Sequence, residues 1–307
     1  MKRGLLLVLV LALGVVGGCR RPARNQTAGK PQVVVSILPL KSLAERVGDG
    51  RVSVSVLVPP GVSPHTFEPR PQDVEMLQHA RLVVFVGLGL EHPWGERLLK
   101  SAGVPPEAVV YLARGITPTP DSNPHVWLSP RNGRRMVQNL AEALARTDPS
   151  HADLYRTRAQ AVIRALDSLD AVYRERFSRL QQRAFVATHA AWVYLARDYG
   201  LDQAAVLQHK PGEEPSARQV AEILRVMRQR GIRVIVVEPQ LPEKAAWVLA
   251  RETGARIVRL DPLGVATGHT DYLDLLAYNL ETLWKALAGE GLSEPADTTA
   301  GKEADHG

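Results

Sequence analysis

The chain has 307 residues, 45% hydrophobic and 23% charged, a balance that fits a folded globular protein and excludes general disorder. Its 38 basic side chains exceed 32 acidic ones, for a net charge of +6, but they are scattered along the chain rather than gathered into one stripe. Nucleic acid is therefore excluded as a natural partner, and the single cysteine excludes an internal disulfide, so the fold must be held by its core alone.

At the N-terminus Lys2 and Arg3 precede an apolar run, residues 4–16, that ends at Gly17-Gly18-Cys19. This has the layout of an export signal and is shorter than the roughly 20 residues a membrane-spanning helix needs. Cys19, directly after Val16-Gly17-Gly18, resembles the lipobox of bacterial lipoproteins. The resemblance implies cleavage after residue 18, a lipid anchor at Cys19 and an extracytoplasmic position, on the periplasmic side or the cell surface. A modest positive charge favours contact with anionic headgroups near that anchor. Residues 19–30 are polar and turn-forming and read as a tether.

Folded structure is expected from Pro31. Residues 33–37, 52–57 and 82–86 read as strands, alternating with helices over 40–47, 71–79 and 94–100. Helices follow over 131–146 and 150–182, separated by Thr147-Asp148-Pro149, with Asp148 or Ser150 as a cap for the second. In that second helix Leu154, Ala161, Ile163, Leu166, Leu169, Val172 and Phe177 recur at helical spacing, over a span of about 45 Å. The alternation then resumes, with strands over 185–187, 204–206, 234–237 and 256–260 and helices over 191–199, 215–230, 242–253 and 272–288. The fold class is α/β, with two lobes each built on a parallel sheet flanked by helices and joined by one long rigid helix. The lobes take residues 31–147 and 183–288, the connecting helix takes 148–182, and residues 289–307 read as a disordered tail.

Nine histidines are present. Three of them, His65, His125 and His189, follow a strand or sit in a proline-rich loop, where side chains can converge on a crevice between lobes. Parallel sheets bind ligands outside the carboxyl ends of their strands, and Asp261, after the strand 256–260, meets the same condition. Three imidazoles and one carboxylate are a donor set natural to tetrahedral zinc. Glu68 and Glu238 are placed to accept the second ring N–H of a ligating imidazole, although Glu238 reads equally well as a cap or a salt-bridge partner. Trp127, Trp192 and Phe67 adjoin these residues and would exclude water, or serve as ordinary core. His79, His92, His151, His209, His269 and His306 read as helix-face, loop or tail residues.

Four segments carry a wider likeness: Pro64-His65-Thr66-Phe67-Glu68-Pro69, His125-Val126-Trp127-Leu128-Ser129-Pro130, Val237-Glu238-Pro239-Gln240 and Leu260-Asp261-Pro262-Leu263-Gly264. In order and spacing they resemble the zinc and manganese binding proteins of bacterial ABC importers, over residues 33–287. The resemblance implies a monomeric carrier, not an enzyme, that buries one metal ion between its lobes and hands it to an ABC permease. It places ligands at His65, His125, His189 and Asp261. Histidine at the third position, where manganese-type members commonly carry Glu, softens the shell and favours Zn2+ over Mn2+. The chain lacks the His- and acid-rich insertion that many zinc members carry between Tyr111 and Pro124, and the cysteine pair that some use as a disulfide.

The main rival is a secreted zinc hydrolase with water in the fourth position, but no HExxH helix is present. A second rival, a carrier of a chelated iron complex, needs an open cavity lined by arginines and aromatics. One rigid connecting helix implies a small tilt or loop rearrangement on release rather than a wide hinge.

Overall fold

The computed structural model describes residues 29–208 and 212–290. The expected signal segment, Cys19, His209 and residues 291–307 lie outside the described residues. Two four-stranded sheets organise the rest, both wholly parallel.

The first sheet is built from β1 (Gln32–Val35), β2 (Ser53–Val56), β3 (Leu82–Phe85) and β4 (Val109–Tyr111) in the order β2-β1-β3-β4. The second, from β5 (Ala184–Ala187), β6 (Asp202–Val206), β7 (Val234–Val237) and β8 (Arg256–Arg259), repeats that order as β6-β5-β7-β8. Central strands such as β3 and β7 are buried at every position, which is why they are unbroken apolar runs with no polar alternation. Along β7, Val234 and Val236 face the core shared with the first half, while Ile235 and Val237 face a second core under the outer helices.

The helices of the first half are α1 (Leu38–Gly48), α2 (Pro71–Gln78), α3 (Gly95–Ala102) and α4 (Pro130–Thr147). In α4 the Ser129 hydroxyl accepts from Asn132 N at 3.1 Å and Pro130 opens the first turn, a capped start that needs no N–H from the proline. A turn at residues 149–151 leads into α5 (Ala152–Ser178), 27 residues or about 40 Å long. Neither expected capping side chain binds its backbone; Asp148 instead accepts from Ser150 Oγ, His151 and Tyr155. The helix packs on α4 and α1 at one end. At the other it meets α6 (Val193–Tyr199) and α9 (Tyr272–Ala288), the outer helices being α7 (Ala217–Arg230) and α8 (Lys244–Thr253).

The second half reaches back to the first through α9. Its capping residue Asp271 accepts from Ser42 Oγ at 3.1 Å and from Arg46 Nε at 2.5 Å, both on α1. Tyr272 is fully buried and donates its hydroxyl to the Trp127 carbonyl at 2.7 Å, and the Trp127 indole N–H donates to the Pro262 carbonyl at 2.9 Å. Where these layers meet, Gly133 of α4 leaves no room for a side chain, since an added Cβ would lie 2.7 Å from the Tyr272 hydroxyl. The two sheets are thus braced against each other by α5, α9 and an indole that spans the gap. No helix among the described residues is long and apolar enough to cross a membrane.

Candidate metal centre

The loops that leave the carboxyl ends of the strands face one another across the gap between the sheets. The β2 loop brings His65, the β4 loop Asn123 and His125, the end of β5 His189, the end of β7 Glu238 and Gln240, and the end of β8 Asp261. With each sheet in the same order, these are the crevices at the strand ends where parallel sheets take ligands.

Three imidazoles meet there, with candidate donor atoms all within 4.8 Å of one another. His125 Nε2 lies 3.1 Å from His65 Nε2 and 3.1 Å from His189 Nε2. Two of the rings are fixed from behind. Asn123 Oδ1 faces His125 Nδ1 at 2.9 Å and also accepts from the His125 backbone N–H at 3.0 Å. The Asn123 amide nitrogen donates to the Ala190 carbonyl at 2.8 Å, next to His189. That second bond sets the amide's orientation, so the proton on His125 sits on Nδ1. The Glu238 carboxylate, equally buried, accepts from His189 Nδ1 at 2.8 Å. Both rings therefore turn their Nε2 atoms toward each other, an arrangement that a shared cation between them would satisfy. Two nitrogens bound to one tetrahedral zinc stand roughly 3.3 Å apart, close to the spacing seen.

A proton is a poor substitute for that cation. Burial, and next the neighbouring His189, lower the pKa of His65 to about 4. Burial, then His189 and His65, take that of His125 well below its ordinary value. Both rings stay neutral at physiological pH and need not shed a proton before accepting a metal. The space they enclose is about 20 Å³, lined also by Ser63, Trp127, Gln240 and Leu263, room for one ion or one water molecule. A chelated complex does not fit.

The surrounding aromatics hold the walls. Trp127 lies against His125 with ring centroids 5.0 Å apart. Trp94 packs edge-on to Phe67 and donates its indole N–H to the Pro64 carbonyl at 3.1 Å, anchoring the loop of His65. Trp192 is buried but is not among the residues lining the cavity.

Two expected positions stand apart from the cluster. Glu68 is exposed, and no hydrogen bond joins it to an imidazole among the described residues; the partners of His125 and His189 are Asn123 and Glu238. Asp261 is fully buried beside the cavity, but its carboxylate is outside the mutually close set. It is held by its own loop, with Oδ1 accepting from Leu263 N at 3.0 Å and Oδ2 from Ala266 N at 2.9 Å. Of the other histidines, His151 pairs with Asp148 and His269 stacks on Tyr278. His79 ends α2, and His92 is exposed.

A two-sheet protein braced by a long helix, with three imidazoles converging on an ion-sized space, defines a class: binding proteins that enclose a single metal ion. Residues 33–286 match the family described as zinc-uptake complex component A, periplasmic (ZnuA), and the chain belongs to that family. It is 31% identical to the iron-binding protein YfeA of Yersinia pestis, over 85% of this chain and 88% of that one. It is 28% identical to the high-affinity zinc uptake system protein ZnuA of Bacillus subtilis, over 92% and 97%. Among solved structures, a crystal structure of ZnuA has a TM-score of 0.77 at 32% identity, covering 84% of this chain and all of that one. A manganese-bound periplasmic metal-binding protein from Candidatus Liberibacter asiaticus has a TM-score of 0.74 at 25% identity, with the same coverage. The family is one of extracytoplasmic metal-binding proteins for transport and not of enzymes, which removes the hydrolase reading.

Proposed function

We propose that this protein captures one divalent transition ion, zinc in preference to manganese, outside the cytoplasm and delivers it to an ABC permease. His65, His125 and His189 are the ligands, joined by Asp261 when a position on its carboxylate is freed for the ion. The observation that carries the reading is the pair of 3.1 Å contacts between Nε2 atoms whose rings are oriented from behind by Asn123 and Glu238. Three imidazoles make a softer shell than a site with two, which supports zinc. The relatives named for zinc support it too, while the manganese-bound neighbour keeps Mn2+ as the alternative cargo.

In this account the two halves, residues 31–147 and 183–288, are lobes joined by a helix within residues 148–182, and the ion sits between them. The bracing through Asp271, Tyr272 and Trp127 favours release by a small tilt or a loop shift. Cys19 carries a lipid that tethers the mature protein to the membrane. A relative from Streptococcus pneumoniae, 28% identical over 94% of this chain and 62% of its own length, is named a zinc-binding lipoprotein.

Calorimetric titration of the metal-stripped protein with zinc, repeated in competition with manganese, tests the function. One zinc per chain, bound more tightly than manganese and markedly more weakly by His125→Ala, is expected. Absence of zinc binding at neutral pH ends the proposal.

A further inference from the structure

The carboxylate of Asp261 has no free lone pair. Oδ1 accepts from Leu263 N at 3.0 Å and from the Gln240 side-chain amide at 2.9 Å. Oδ2 accepts from Ala266 N at 2.9 Å, Thr267 N at 3.3 Å and Thr267 Oγ1 at 3.4 Å. A carboxylate offers about four such positions, so at least one bond must break before this residue can ligate an ion. The bonds from residues 263, 266 and 267 belong to the loop itself. Its backbone is pinned further by Asn279, which bonds both the N–H and the carbonyl of Asp261 at 2.9 Å. Gln240 alone comes from elsewhere, at the end of β7, and it also lines the imidazole cavity. Its own amide is half satisfied, because Oε1 is buried without a hydrogen-bond partner. A side-chain amide of this kind can swing off Oδ1 by rotation, whereas the loop N–H groups leave only if the loop refolds.

Resting on the reading of the site given above, we propose that Gln240 is a positioning residue, a latch whose amide occupies the Asp261 lone pair that the captured ion takes. Ion capture then exchanges one partner of Oδ1 for another, and the amide moves toward a partner for its orphaned oxygen. Holding the latch closed weakens the loaded site by the worth of one hydrogen bond to a charged group, which eases later release of the ion.

The test is a double-mutant cycle on the metal-stripped protein, with zinc affinity and the rate of zinc transfer to a chelator as readouts. Gln240→Met keeps the volume and removes the N–H, and Gln240→Ala guards against a packing fault peculiar to the first variant. Each should bind zinc about fivefold more tightly and release it correspondingly more slowly. In an Asp261→Asn background the same substitutions should change affinity by less than about twofold, since the coupling between the two residues is what the cycle isolates. Unchanged or weaker binding in both variants overturns the latch, as does an equal effect in the two backgrounds. These results leave the metal site intact when the parent binds zinc through its histidines; a parent that binds no zinc overturns site and latch together.

Discussion

Acid should destabilise the metal-free protein through the imidazoles that await the ion. In the unfolded chain His65 takes up its proton near 6.5, whereas in the fold burial, and next His189, lower its pKa to about 4. Between those values the unfolded state binds more protons than the native one, so stability rises with pH across the window and falls as pH drops through it. The penalty is absent well above 6.5 and complete below 4. At about 1.4 kcal/mol per pH unit, the window amounts to roughly 3 kcal/mol from His65 alone, a large share of a typical domain's stability. His125, pushed in the same direction by its own burial, adds to it. Urea denaturation of chelator-treated protein at pH 7.5, 5.5 and 4.5, compared between the parent and His65→Asn, measures the effect. The parent should lose about 2.5 kcal/mol more than the variant over that range, which stops short of the folded pKa. Parallel curves for the two proteins would refute the argument, because the ring would then be solvated enough to protonate at its ordinary value.

Three further substitutions probe the scaffold. Asn123→Ala frees the His125 ring and cuts the bond to Ala190, so zinc affinity should fall about 10- to 100-fold while the far-ultraviolet circular dichroism stays unchanged. Gly133→Ala gains up to about 1 kcal/mol of helix propensity but sets a methyl 2.7 Å from the Tyr272 hydroxyl and 3.3 Å from Leu166 Cδ1. Overpacking of that kind costs about 1–3 kcal/mol, and a lower melting temperature in calorimetry is the expected net result. Gly264→Ala places a Cβ 2.2 Å from the His269 carbonyl, at a residue with φ of +81°. The loop that cages Asp261 must rearrange, and zinc affinity should drop with the three imidazoles still present.

The α/β alternation was readable because buried parallel strands are written as apolar, valine-rich runs, and the chain has one at each of β1, β3 and β7. The edge strand β4 escaped that reading: it has three residues, all at least partly exposed, so neither length nor pattern marks it. The long helix was expected to run to residue 182 but ends at Ser178, where Arg183 folds back to the Ser178 and Leu180 carbonyls. At the site, a carboxylate close in sequence to a histidine was a poor guide to the partners behind the rings. Glu68, three residues past His65, is exposed, whereas Asn123, two residues before His125, supplies the fixed acceptor. Asn before Pro reads as a turn former, and its amide role appears only once Ala190 is seen against it. Strand-end logic found Asp261 but not its cage, because the N–H groups that fill its lone pairs come from a loop closing on itself through Gly264. Gln240 stands inside the quoted Val237-Glu238-Pro239-Gln240 segment, yet nothing in the sequence ties it to a residue 21 positions later.

X-ray absorption on the zinc-loaded protein asks most directly whether three imidazoles share one ion. One zinc per chain with three histidine nitrogens at about 2.0–2.1 Å is expected, with the imidazole scattering pattern reduced by one ring in His125→Ala. A zinc shell made of oxygens, or one unchanged by that substitution, would contradict it.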